Sequence, residues 1–178
     1  MSRIASHTLE DAPAASRPLL QHLIQASPTG RFLNLHAQMA HSPAVLAGYT
    51  SLRAAISEYG SFDPKVGAAL TVATAATVGN GYMLGIAGRL AQMHGWTEEQ
   101  VNALRAGTPT GDVQIDGLAA LVREATANAG SVADTTWKAA LQAGWSDSQL
   151  ADAFAYVGLT VFTGYFLNYA QTDADRLW

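Results

Sequence analysis

Apolar side chains recur along this chain at intervals of three and four residues, which is the spacing of one face of an α-helix. The strict alternation typical of a half-buried strand is almost absent. Leu19, Leu20 and Leu23 form the first such stripe, which follows a candidate capping residue, Ser16, and has Pro18 in its opening turn. The pattern predicts an all-α protein.

Two dipeptides mark further helix starts. Ser42-Pro43 and Asp63-Pro64 each combine a capping side chain with proline at the first helical position. Gly79 and Gly81 are expected to divide the long uncharged stretch that follows into two helices. Other helices are predicted over residues 32–39, 97–106, 115–128, 131–143 and 146–171.

One internal repeat is visible, because residues 95–101 (GWTEEQV) match residues 144–150 (GWSDSQL). In both copies glycine can close one helix in a left-handed conformation, and Thr or Ser can cap the next. Glutamine three residues after the cap completes a capping box. We therefore expect Trp96 and Trp145 to belong to helix-capping structure rather than to a ligand site.

Length and charge narrow the class of protein. A chain of 178 residues predicts one domain, 1–178, with 1–15 as a loosely ordered N-terminal segment. Only 13% of the residues are charged, so part of the apolar surface is expected in a subunit interface of a homo-oligomer. The net charge of −4 and the scattered Lys and Arg argue against nucleic acid as a partner.

The chain contains no cysteine. Disulfides, thiolate nucleophiles, iron–sulfur clusters and cysteine zinc sites are therefore excluded. Residues 1–17 have acidic side chains and no apolar run, so no secretory signal is predicted and a cytoplasmic location is expected. Residues 66–88 and 153–172 are long enough to span a membrane, but buried helices of an oligomer explain them better, and no membrane partner is expected.

Several segments together resemble one known family. They are LNL at 33–35 with AHSP at 40–43, FDPK at 62–65, GSV at 130–132 with AGWSD at 143–147, and VFTGYF at 161–166 with TDAD at 172–175. Their order and spacing are similar to those of the alkylhydroperoxidase D-like, carboxymuconolactone decarboxylase-like superfamily. The resemblance covers residues 33–175 and implies an all-α, AhpD-like helical bundle.

In active members of that family, the helix after the "LDPK" segment carries a glutamate and then a Cys-x-x-Cys-x-x-x-His motif. The resemblance, aligned through Gly79 and Tyr82, implies that this chain is a degenerate member. The family positions of the glutamate, the two cysteines and the histidine are occupied by Ala68, Asn80, Met83 and Ala87. A hydroperoxide reductase working by dithiol exchange is excluded by the absence of cysteine alone.

Loss of those side chains would leave a roomier and more apolar pocket. Asn80 and Tyr82 are its expected polar groups, with Met83 beside them, and His36 is a further lining candidate. The leading hypothesis is a protein that binds or transforms an apolar small molecule there. The alternatives are a catalytically silent structural or interaction subunit, and a cysteine-independent lyase or decarboxylase with His36 as general base. No cofactor and no metal site are predicted, because the histidines are scattered.

Overall fold

The computed structural model of the protein describes residues 2–27 and 29–175, which contain nine α-helices and no β-strand. The prediction of an all-α protein is therefore confirmed for this part of the chain. The helices are α1 Arg17–Ala26, α2 Asn34–Met39, α3 Pro43–Tyr59, α4 Pro64–Val78, α5 Gly81–Met93, α6 Glu98–Ala106, α7 Val113–Ala127, α8 Asp134–Gln142 and α9 Asp147–Ala170.

The chain divides into two compact units. One comprises residues 1–55 with 166–178, and the other comprises residues 56–165. Helices α3 and α9 each contribute residues to both units. The single domain over 1–178 stays a prediction.

In the first unit, residues 2–15 form turns and extended chain rather than a helix. The backbone N–H of Arg3 donates to the carbonyl of Ala170 at 2.8 Å, and that of His7 donates to the carbonyl of Ala37 at 3.2 Å. Ala12 is buried. Backbone hydrogen bonds thus connect this segment to α9 and α2. The loose order expected of residues 1–15 stays a prediction.

Local capping chemistry explains most helix starts. The carboxylate of Asp63 accepts a hydrogen bond from the backbone N–H of Val66 at 2.9 Å, as the Asp-Pro signal predicted. Helix α3 likewise begins at the predicted Pro43. Ser16, which the sequence predicted to be a cap, occupies the N-cap position of α1 without capping it. Its buried hydroxyl instead donates to the carbonyl of Ala40 at 2.8 Å.

Two predicted boundaries around α8 and α7 were wrong by a few residues. Helix α8 begins at Asp134 rather than at residue 131, because the chain before it is extended and the backbone N–H of Ala133 donates to the carboxylate of Glu124 at 2.8 Å. Helix α7 begins earlier than predicted. Asp112 caps it and accepts hydrogen bonds from the backbone N–H groups of residues 114 and 115 at 3.0 and 3.2 Å.

Helix α4 is the central helix of the second unit and packs against α5, α6 and α7. Most of its residues are buried, which accounts for its uniformly apolar sequence. Gly67 allows the closest approach: a Cβ atom there would lie 2.7 Å from the hydroxyl of Tyr156. The long uncharged stretch is thus two short helices of 15 and 13 residues, separated at Gly79, of which α4 is mostly buried.

The predicted capping boxes of the internal repeat are both present. The hydroxyl of Thr97 accepts from the backbone N–H of Gln100, whose side chain accepts from the backbone N–H of Thr97, both at 3.2 Å. Ser146 and Gln149 form the same reciprocal pair at 3.3 and 3.0 Å. The two segments therefore fold alike because they carry the same cap.

The repeat extends further than the sequence match indicated. The indole N–H of Trp96 donates to the carbonyl of Lys65 at 2.8 Å, and that of Trp145 donates to the carbonyl of Gln114 at 2.7 Å. Each bond joins residues 31 positions apart. Each tryptophan therefore ties the start of a later helix, α6 or α9, to the first turn of an earlier one, α4 or α7. The predicted structural role of the two tryptophans is confirmed.

Candidate functional site

The junction of α4 and α5 holds the positions at which the resemblance expects the thiols. Helix α4 ends at Gly79 in the left-handed conformation, with φ of 75°. Asn80 then occupies the N-cap position of α5, and its side-chain oxygen accepts a hydrogen bond from the backbone N–H of Met83 at 2.8 Å. Asn80, which the resemblance aligns with the first thiol, thus caps α5 by accepting a hydrogen bond from Met83, which it aligns with the second.

The other aligned positions belong to the interior of the second unit. Ala68 on α4 is buried, as are Met83 and Ala87 on α5, while Asn80 and Tyr82 are half-buried. Alanine methyl groups and a thioether provide neither a nucleophile nor a proton relay. What remains at this junction is a helix cap, a phenol and apolar packing.

His36, the remaining predicted site residue, belongs to the first unit and is buried in α2. Its Nδ1 lies 3.2 Å from the backbone nitrogen of Leu33, and its Nε2 lies 3.3 Å from the hydroxyl oxygen of Tyr49. A backbone N–H can only donate, so Nδ1 is the acceptor and the proton of the neutral ring sits on Nε2. Nε2–H then donates to Tyr49.

Burial makes this imidazole a poor proton acceptor. Desolvation, with a smaller contribution from the positive charge of Arg53, lowers the pKa of His36 from 6.5 to about 3. The Nδ1 lone pair is also engaged by the amide of Leu33 at the start of α2. These contacts describe a neutral histidine that holds the first turn of α2 and packs against the ring of Tyr49.

His7 and His41 meet in the first unit, and their spacing along the sequence did not indicate this contact. The rings of His7 and His41 lie 3.9 Å apart between centroids, and Nδ1 of His7 lies 3.0 Å from the carboxylate of Asp11. Nε2 of His41 lies 2.8 Å from the carbonyl oxygen of Ala5. In the part of the chain that the structure describes, no three histidine or acidic side chains are grouped as metal ligands.

A cavity of about 240 Å³ lies between α7, α8 and α9 in the second unit. Its walls are apolar and include Leu121 and Ala125 of α7, Trp137 of α8, and Ala153 and Phe154 of α9. Trp137 is 37% exposed and Phe154 is 61% exposed, so the cavity opens to solvent beside these rings. Sequence reasoning missed this site, since its lining comes from three helices whose packing only the structure reveals.

Helix α9 has an exposed aromatic face in the second unit. Phe154, Phe162 and Tyr165 are all exposed and follow helical spacing. The helix has 24 residues with a mean hydropathy of 1.4 in its most apolar window, of which 39% is buried. By length and composition alone α9 is therefore able to cross a membrane, although core helices of soluble proteins pass the same test.

By sequence, the chain matches no family model and no curated protein. Comparison by structure is informative. A peroxidase-related protein from Ralstonia eutropha JMP134 with an alkylhydroperoxidase AhpD core superposes with a TM-score of 0.83 at 14% identity. The match covers 98% of this chain and 93% of that one.

Two further solved structures have the same fold. An alanine-for-cysteine variant of the debrominase Bmp8, in complex with 2,3,4-tribromopyrrole, matches with a TM-score of 0.81 at 12% identity, covering 99% of this chain and 93% of that one. A peroxidase-related protein from Silicibacter sp. TM1040 matches with a TM-score of 0.72 at 14% identity, covering 99% and 96%. The protein therefore has the AhpD-like fold, and it has that fold without a single cysteine.

Proposed function

We propose that this protein is a cysteine-free descendant of the AhpD-like peroxidases that binds, or transforms without thiol chemistry, an apolar small molecule. The observation that supports the proposal is the hydrogen bond between Asn80 and Met83. The resemblance aligns these two residues with the thiol positions of the active family members, and here they form a helix cap. The fold around them is similar to that of a peroxidase-related protein. Retention of the fold without its nucleophiles favours a binding role.

The ligand would contact the junction of α4 and α5. Asn80 and Tyr82 would supply polar contacts and Met83 an adaptable apolar one, which is the mixture usual for small-molecule sites. The debrominase Bmp8 supports this ligand class, because its complex with 2,3,4-tribromopyrrole is that of an AhpD-like fold with a small halogenated ring. The proposed ligand is accordingly uncharged and largely apolar.

The exposed aromatic face of α9 favours a second candidate function, that of a catalytically silent subunit of a homo-oligomer. Phe154, Phe162 and Tyr165 expose apolar rings to solvent in the single chain. Aromatic residues are enriched in the buried centres of protein interfaces. Under this alternative the surface would be the functional part of the molecule, and the α4–α5 junction would be core only.

A cysteine-independent lyase or decarboxylase with His36 as general base receives no support from the geometry. A base must accept a proton near the working pH, whereas burial lowers the pKa of His36 to about 3. Its Nδ1 already accepts from Leu33. We therefore retain this activity only as an analogy with the other branch of the superfamily.

The proposal is tested by extracting small molecules from freshly purified, then denatured, protein. The double variant Asn80→Ser, Tyr82→Phe keeps a capping oxygen but changes both polar contacts. Tyr59→Phe, at an exposed tyrosine of the same unit, is the matched control. Wild type and control should release one compound in equal yield, and the double variant should release several-fold less. Equal release from all three proteins, no released compound, or thiol-dependent turnover of an organic hydroperoxide would refute the proposal.

A further inference from the structure

The structure points to a second binding site, distinct from the α4–α5 junction: we propose that the cavity between α7, α8 and α9 binds an uncharged aromatic molecule of one or two rings. Nothing in the family motif concerns this cavity, since none of the aligned positions Ala68, Asn80, Met83 and Ala87 lines it. The inference therefore does not rest on the function proposed above.

The size of the cavity sets the size of its ligand. An apolar protein cavity of about 150 Å³ is large enough to hold benzene. The volume here is about 240 Å³. A bicyclic aromatic molecule, or a single ring with a few alkyl or halogen substituents, fits this volume without a rearrangement of the helices.

The lining decides the charge of the ligand. Every described side chain that lines the cavity is apolar, including those of Leu121, Ala125, Val132 and Ala153. A charged ligand would lose its hydration here without gaining an ionic partner, and that cost is large. The site therefore selects neutral molecules and discriminates against an anionic analogue of the same shape.

Trp137 and Phe154 give the site its preference for aromatic ligands. Both rings line the cavity and reach solvent, so a bound ring can stack on them or meet their edges. Trp137 also differs from the two repeat tryptophans. The indole N–H groups of Trp96 and Trp145 donate to backbone carbonyls. The indole N–H of Trp137 makes no hydrogen bond within residues 2–27 and 29–175.

The test uses 1-fluoronaphthalene as a neutral bicyclic probe and follows its binding by fluorine NMR and by quenching of tryptophan emission. The variant Ala153→Leu fills the cavity from α9, and Ala125→Leu fills it from α7, so either suffices if the other fails to fold. Ala120→Leu, at an exposed position of α7 that does not line the cavity, is the matched control. Circular dichroism and a cooperative thermal transition establish that each variant is folded.

We expect the wild type and Ala120→Leu to bind the probe equally, and the folded filling variants to bind at least about tenfold more weakly because the volume is taken. Trp137→Phe should lose most of the emission quenching. The anionic 1-naphthalenesulfonate should compete more weakly than neutral naphthalene. No binding to wild type, or unchanged binding to a folded filling variant, would overturn the proposal. Probe binding that persists in the variant Asn80→Ser, Tyr82→Phe and is lost in a folded filling variant belongs to this cavity, so failure here is distinguishable from failure at the α4–α5 junction.

Discussion

The side-chain oxygen of Asn80 accepts a hydrogen bond from the backbone N–H of Met83 at 2.8 Å. In active members of the resembled family these two positions carry the thiols of one redox pair. Here the side chain of Asn80 instead caps the first turn of α5 on the backbone N–H of Met83.

Removing this cap should cost stability. For Asn80→Ala we expect the free energy of unfolding to fall by about 1 kcal/mol, because the backbone N–H of Met83 loses its acceptor. Asn80→Ser and Asn80→Asp keep a capping oxygen and should stay close to wild type. Urea denaturation followed by circular dichroism measures the difference. Equal stability of Asn80→Ala and Asn80→Ser would show that the cap contributes nothing.

Stability should depend on pH through His36. The pKa of His36 is lowered in the folded protein from 6.5 to about 3, chiefly by burial. The unfolded chain therefore binds a proton that the folded protein does not. The stability that comes from keeping His36 neutral is fully present above pH 6.5. As the pH falls from 6.5 toward 3, the free energy of unfolding decreases by up to about 1.4 kcal/mol per pH unit.

The variant His36→Gln isolates this effect, since glutamine has hydrogen-bonding groups but does not titrate. Between pH 6 and pH 4 the wild type should lose more stability than the variant, and the difference between the two should shrink steadily on acidification. Other histidines and carboxylates titrate in both proteins and cancel in the comparison. Parallel stability curves for the two proteins would contradict the assignment of His36 as a buried neutral side chain.

The two repeat tryptophans should contribute equally. Trp96→Phe and Trp145→Phe each remove the indole N–H that donates to a backbone carbonyl, that of Lys65 or Gln114. We expect each variant to unfold with about 1–2 kcal/mol less free energy than wild type. Trp137→Phe is the matched control and should cost less, because no bond from its indole is lost. Denaturant midpoints measured for all three variants test this order.

The sequence predicted most accurately those features that depend on residues close together in the chain. Pro43 and Pro64 begin helices because the cap and the proline lie within a few residues of the start. Ser16 shows the limit of such reasoning. Its hydroxyl lies at the N-cap position, yet it donates to the carbonyl of Ala40, 24 residues away. That carbonyl comes within reach only once the chain has folded, so the sequence alone did not indicate it.

The site was harder to predict than the fold, for the same physical reason. Asn80 and Met83 lie three residues apart, so a cap between them is a local feature, whereas their alignment with the thiol pair stays a prediction. The environment of His36 depends on Tyr49 in another helix and on burial, neither of which spacing reveals. The cavity beside Trp137 needs three helices to exist at all.

Native mass spectrometry of freshly purified protein distinguishes a ligand-binding protein from a silent subunit. We expect each chain to carry a small molecule that adds its mass to the polypeptide and dissociates on denaturation, with no thiol-dependent hydroperoxide activity in the same sample. The spectrum also counts the subunits of the expected homo-oligomer. A mass equal to that of the bare polypeptide in every oligomer would contradict the binding function and favour the silent-subunit alternative.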